Sequence, residues 1–211
     1  MKINTPKIPT QLIMRNFSDI FDEEYPELEL CEIIDSSFMN EEVDRVRLDQ
    51  IVLKNCQFNY TNFSNIQLTD VRFENCDLSN VNFSKSSVHR VEFSNCKLLG
   101  SQFPSSSLGN VRFDHCSLHL ATFDSAKLEK VQFNETVLIN SDFYECKFKG
   151  IELNRCNLND ANFEQTSLKG IDISSSTFET LTISIDSLNG CKVSSSQAIQ
   201  LASLMGVIVV D

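Results

Sequence analysis

The sequence predicts an all-β solenoid, a chain wound into coils that turn a corner every five residues. Three observations predict it. Every fifth residue from Ile33 to Val193 is apolar without a slip in register: fourteen Phe, thirteen Leu, three Ile and three Val fill all thirty-three positions. The residue two places earlier is small or β-branched, as in Cys56, Thr61, Ile66, Val71, Cys76 and Val81, and is charged only at Glu41 and Asp186. The other three of each five are mostly polar, so each unit has two inward and three outward residues. A period of five drifts around the roughly 3.6-residue turn of a helix and does not match the period of about two in a plain strand. A fixed short period sustained over this length marks a repeat architecture.

Three segments follow in order. Residues 1–30 precede the repeat and read as an N-terminal cap. Pro6, Pro9 and Pro26 break regular structure there, and Ser18 to Glu24 fits a short helix that lays Phe17 and Phe21 over the first coil. A solenoid needs such caps because its open edges recruit other chains. Residues 31–195 are the repeat. Residues 196–211 close it: Ser195 can cap a short amphipathic helix running to about Met205, with Gly206 as its stop. Val207-Ile208-Val209-Val210 then reads as a bare β-branched strand. The tail either covers the last coil or forms a dimer interface through Leu201, Leu204, Met205, Val207, Ile208, Val209 and Val210. It holds more apolar surface than one coil end needs.

The repeat reads Asn62-Phe63-Ser64, Asp77-Leu78-Ser79, Asn82-Phe83-Ser84, Asn157-Leu158-Asn159 and Asn162-Phe163-Glu164. With a small residue in front, this resembles the A(D/N)LXX pattern of the pentapeptide-repeat family over residues 31–195. The resemblance implies a right-handed quadrilateral parallel β-helix of about eight coils, with four units per coil, so that residues twenty apart stack. The sequence supports this independently. Cys56, Cys76, Cys96 and Cys116 are spaced by twenty; so are Phe73, Phe93, Phe113 and Phe133, and so are Phe63, Phe83, Phe103, Phe123, Phe143 and Phe163. These ten Phe form the expected core ladder, and roughly eight coils at about 4.8 Å give a rod ~40 Å long.

Composition narrows the function. No run approaches the roughly 18 apolar residues of a membrane span, and the first residues lack the apolar core of a signal peptide. All eight Cys take the small inward position, the behaviour of buried apolar groups. Stacking in parallel coils points their Cβ atoms the same way, a poor geometry for a disulfide. Free buried thiols point to a reducing, cytoplasmic setting. His89, His115 and His119 fall at outward positions without repeating on a column, which predicts solvated surface residues. The spacing shows no zinc pattern, phosphate loop or carboxylate dyad in a cleft. The expectation is a non-enzymatic protein without metal or cofactor.

What remains is surface charge. The net charge is −11, and residues 19–44 hold eleven acids and no base, leaving eighteen of each sign elsewhere. In the C-terminal half, sorting positions by twenty places Asp124, Asp142, Glu145 and Glu164 on one side, with Asp160 and Glu179 on the next. Lys127, Lys130, Lys147, Lys149 and Lys169 lie on the side beyond. An acidic rod does not bind nucleic acid, whose duplex carries a negative charge about every 1.7 Å, but a local acidic strip can occupy a groove built for DNA.

Gln197-Ala198 and Leu204-Met205-Gly206-Val207 are similar to the C-terminal ending of the Qnr quinolone-resistance proteins. That resemblance implies tail-to-tail homodimers that imitate B-DNA, bind DNA gyrase and topoisomerase IV, and protect them from quinolones, with inhibition as a companion activity. It makes Asp124, Asp142, Glu145, Asp160, Glu164 and Glu179 the topoisomerase-facing candidates. One departure is that several Qnr proteins carry two loops interrupting the repeat. Here the register never breaks, and only Met39–Arg45 and Gly100–Gly109 read as irregular. Two other readings share the fold: an immunity protein against a gyrase-targeting toxin or natural product, and a scaffold for an unrelated partner.

Overall fold

The computed structural model describes residues 2–210; Met1 and Asp211 lie outside the described residues. It is a parallel β-solenoid of about eight coils with one short helix near its C-terminus. Short strands β1 (Ile13–Met14), β2 (Glu27–Glu29) and β3 (Cys31–Ile34) begin it. Six eight-residue strands follow: β4 (Arg47–Lys54), β5 (Gln67–Glu74), β6 (Ser87–Ser94), β7 (Ser107–Asp114), β8 (Lys127–Asn134) and β9 (Lys147–Asn154). All pair in parallel; β2 to β9 keep a register of twenty, so Val71, Val91, Val111 and Val131 are successive partners, while β1 joins β3 at a register of eighteen, Ile13 opposite Cys31. In one coil, Val71–Asn75 forms the first side, Cys76–Asn80 the second, Val81–Lys85 the third and Ser86–Arg90 the fourth. The long strands therefore bend around the corner between a fourth and a first side. The second and third sides are joined by single bridges such as Gln57↔Asp77 and Asn62↔Asn82.

The corners explain the period. Every fifth residue from Leu30 to Gly170 has positive φ, between 47° and 79°. This left-handed conformation is costly for most residues and least so for Gly, Asn and Asp. The sequence supplies Asn or Asp at eleven of the twenty-six non-glycine corners, a signal carried beside the glycines. Many corner amides are also paired with the next coil: Asn55, Asn75, Asn95 and Glu135 donate to carbonyls at 2.9 Å. Met39–Arg45 and Gly100–Gly109, expected to be irregular, keep this geometry. Ser105, after Pro104, turns with φ 56°, and Gly109 lies within β7.

Inside, all ten predicted Phe are buried. Rings of the Phe103 column stack with centroids 4.9 Å from Phe83 and 5.0 Å from Phe123, and the Phe93–Phe113 pair repeats this at 4.9 Å. The cysteines are more than small apolar fillers. Cys76 Sγ donates to Leu53 O at 3.5 Å and Cys116 Sγ to Phe93 O at 3.3 Å, and Thr136 and Ser176 do the same in their column. The column therefore selects a small side chain that can donate to the preceding coil. Burial pushes the Cys146 thiol up to about 12 and the Cys156 thiol up to about 11, so both remain protonated donors.

The ends differ in detail from expectation. The N-terminal helix is a 3-10 turn over Phe17–Phe21, closed by a capping box between Asn16 and Asp19. Phe17 is buried against Phe38 and Phe58 at 4.7 and 4.8 Å, whereas Phe21 remains 59% exposed while stacking on Phe38. At the other end, α1 spans Ser195–Ala202, and its N-cap is Ser194 rather than Ser195, because Gln197 completes a capping box with it. The Gln197 side chain reaches under the helix and donates to Ile173 O and Ser176 O at 3.0 and 2.8 Å, capping the final coil. A 3-10 turn, Ser203–Met205, continues the helix, and Gly206 stops it with φ 72°. Val207–Val210 forms no strand; the Val207 amide instead donates back to Ala202 O at 3.3 Å.

Candidate protein-interaction surface

The four sides carry charge in different ways. On the first side, acids and bases alternate up the stack and neutralise one another. Lys54 lies 2.8 Å from Glu32, Arg72 3.3 Å from Glu92, and Arg112 3.5 Å from Glu92; Arg155 pairs with Glu135. The third side of the C-terminal half is different. Asp124, Asp142, Glu145 and Glu164, together with Asp160 and Glu179 on the second side, form no ion pair among the described residues. Their spacing limits mutual repulsion. Asp124 and Glu164 share a column but are separated by Tyr144, so they lie two coils, roughly 10 Å, apart.

Polar neighbours orient the strip. Asp142 Oδ1 accepts from the Tyr144 amide and from Asn162 Nδ2, both at 2.9 Å. Asp160 accepts from Asn159 Nδ2 at 2.9 Å and from the Thr180 hydroxyl. Asp142 and Asp160 are thus held by neutral donors rather than by cations. On the fourth side, Lys127, Lys130, Lys147, Lys149 and Lys169 are exposed, and among the described residues only Lys149 forms an ion pair, with Glu129 at 2.7 Å. The lateral segregation of charge therefore persists in three dimensions.

Two surfaces were not anticipated. On the second side, Leu99 and Leu120 are exposed beside the half-buried Val137 and Ile139. Leu120 sits at a left-handed corner, φ 59°, where neither conformation nor hydration favours leucine. The other concerns residues 2–9, which lie outside the cap that was expected to contain them. They run along the outside of the rod at the corner between the fourth and first sides. The Asn4 amide donates to Asn110 Oδ1 at 3.0 Å, the Lys7 amide to Asp70 Oδ1 at 2.8 Å, and Gln50 Nε2 to Lys7 O at 3.0 Å. Ile3 is 7% exposed. Beneath this strap, Arg90 grips Asp70 through two bonds of 2.5 and 2.7 Å. His89 is half-buried there rather than solvated, and burial, then the adjacent Arg90, pushes its pKa down.

The Asp70 contact has a pH signature. Burial raises its carboxyl pKa, but the Arg90 hydrogen bonds, the Lys7 amide and the two cations together outweigh it and hold the value below the ordinary one. A depressed folded pKa contributes stability above the unfolded value, about 3.9, and loses it as pH falls through the folded value. Denaturant melts at pH 5 and pH 3 should show a smaller acid-side loss in Asp70→Asn than in the wild type. Equal losses would mean that Asp70 is not the titrating group.

Among the described residues no cluster of three or more His, Cys, Asp or Glu is placed to hold a metal ion, and no helix is long and apolar enough to cross a membrane. A family profile described as a pentapeptide repeat region matches residues 27–91 and 86–163. The chain belongs to the pentapeptide-repeat family. No curated protein matches this pentapeptide rod. Among solved structures it is similar to HetL, a pentapeptide repeat protein involved in heterocyst differentiation regulation from the cyanobacterium Nostoc sp. strain PCC 7120. The TM-score is 0.64 at 16% identity, covering 79% of this chain and 84% of that one. It is also similar to trypsin-treated QnrB1, a plasmid-mediated fluoroquinolone resistance protein, with TM-scores of 0.52 and 0.51 at 21% and 19% identity for two variants. These alignments cover 85% and 95% of this chain and 100% of each variant. At such identities the likeness concerns the fold.

Proposed function

We propose that this pentapeptide rod binds a type II topoisomerase, DNA gyrase or topoisomerase IV, in place of DNA and protects it from quinolones. The observation that carries the reading is the acidic strip from Asp124 to Glu179, without an ion pair among the described residues, on a rod whose first side is neutralised by its own ion pairs. Low-dielectric walls on a partner's DNA groove would strengthen its field locally. Similarity of fold to QnrB1 supports the choice of partner. The test is gyrase supercoiling with the protein titrated in, with and without a fluoroquinolone. Restored supercoiling in drug supports the proposal; inhibition alone reduces it to competition for the DNA groove; no effect in either arm rejects it. The Leu99–Leu120 patch favours a second reading, a rod for a partner with an apolar contact, and that reading survives the last outcome.

The tail supports a homodimer. Leu201 packs against the core, whereas Leu204, Met205, Val207, Val209 and Val210 are exposed and Ile208 is 86% exposed. Deleting residues 196–211 should halve the mass in light scattering, but it also removes Gln197, which caps the last coil. The cleaner variant is Met205→Asp with Ile208→Asp. Half the wild-type mass with an unchanged melting temperature is expected; a wild-type mass would exclude the tail as the interface.

A further inference from the structure

The edge under the strap has the properties of a ligand site rather than of a surface that a loose terminus happens to touch. Its hydrogen bonds to Asn4 and Lys7 are to main chain. Asn110, Asp70 and Gln50 engage the Asn4 amide, the Lys7 amide and the Lys7 carbonyl, so three outward side chains read the backbone of an extended segment. The spacing matches. Three extended residues from Asn4 to Lys7 span about 10 Å, and two coils from Asp70 to Asn110 rise about 9.6 Å. Ile3 is buried, and Pro6 and Ile8 are half-buried, while Lys2, Asn4, Thr5 and Lys7 face solvent. Pro6 and Pro9 restrict the free segment toward extended conformations, which lowers the ordering cost of docking. Val52 and Gln132, outward residues of the first side beside this edge, are themselves buried.

The same edge continues past the strap. After Gln50, Asp70, Arg90, Asn110 and Lys130, the corner column becomes Gly150, Gly170 and Gly190. The left-handed corner does not demand glycine, since twenty-six other residues adopt it without glycine. Three glycines in succession instead leave the edge without side chains. A depression lies there, lined by Gly150, Glu152, Gly170, Asp172 and Ser174, and a Cβ added at Gly170 would meet nothing within 4 Å.

We propose that this edge is a peptide-binding groove that recognises extended main chain with one branched apolar anchor, and that residues 2–9 are its resident ligand. The groove lies half a coil from the corner that carries Asp160, on the opposite edge of the rod, so its occupancy leaves the acidic strip free. The proposal does not depend on what that strip binds.

The experiment uses the full chain and a fluorescent synthetic peptide of residues 2–10. In the wild type, the Asn4 and Lys7 amides should exchange with deuterium at least tenfold more slowly than in the free peptide. Ile3→Asp should abolish that protection while the melting temperature of the rod is retained. The peptide should bind the Ile3→Asp chain at least tenfold more tightly than the wild type, whose groove is filled in cis. Adding Asn110→Ala, which removes the acceptor of the Asn4 amide, should weaken that binding. Equal binding to wild type and Ile3→Asp, or no binding to Ile3→Asp at millimolar peptide, overturns the groove. Exchange of Asn4 and Lys7 in the wild type at free-peptide rates overturns the docked strap itself.

Discussion

Replacing Phe103 with alanine is expected to destabilise the rod by about 3–5 kcal/mol and to lower its melting temperature by roughly 6–20 °C for a chain of this size. Phe103 is fully buried, stacked between Phe83 at 4.9 Å and Phe123 at 5.0 Å, with the edge of Phe113 at 6.5 Å. The cavity cannot collapse easily. Phe103 donates its amide to Thr122 O at 2.7 Å and Phe83 donates to Gln102 O at 2.6 Å, so the backbone on each side is fixed by its neighbours. Because each coil contacts only the next, loss in the middle coil also weakens coupling between the two halves. Phe103→Leu should cost only about 1 kcal/mol, since leucine already fills the equivalent core position at Leu53 and Leu153 of the neighbouring Phe column. A calorimetric scan in which Phe103→Ala and Phe103→Leu melt together would refute a ladder stabilised by close ring stacking.

The core was legible because burial imposes one rule on every coil: Phe63 to Phe163 recur at twenty because the same spot on the same side recurs there. The corners were half legible. Gly100 and Gly150 close units of five with the residue that a left-handed turn favours most, but Asn55, Asn75 and Asn95 do the same work and look no different from polar surface in the sequence. The cysteine column was read as apolar, although Ser36, Thr136 and Ser176 share it and point to hydrogen bonding. The strap was not legible from residues 2–9 themselves, which carry no period. Its seat left one trace: Asp70 and Arg90, opposite charges twenty apart on one corner column. The acidic strip was visible as a position count, but the absence of ion pairs that distinguishes it from the first side depends on side-chain geometry.

Neutralising Asp142→Asn, Glu145→Gln and Glu164→Gln together is expected to raise the concentration needed for topoisomerase protection about a hundredfold, taking roughly 1 kcal/mol for each charge at a complementary surface. The melting temperature should stay within about 2 °C, because none of the three carboxylates is tied into an ion pair among the described residues. Asparagine at 142 keeps an oxygen to accept from the Tyr144 amide and the Asn162 side chain, as Asn62 already accepts from Asn82 at 2.9 Å. Net charge alone predicts the same loss from any three acids. The control is therefore Glu24→Gln, Glu29→Gln and Glu41→Gln, three exposed acids from the N-terminal block. Strip recognition requires the control to protect like the wild type, with the triple variant also showing a weaker dependence on salt. If both variants lose protection equally, the partner senses total charge rather than the strip. If neither loses it, the rod binds through another side, and the Leu99–Leu120 patch becomes the surface to mutate next.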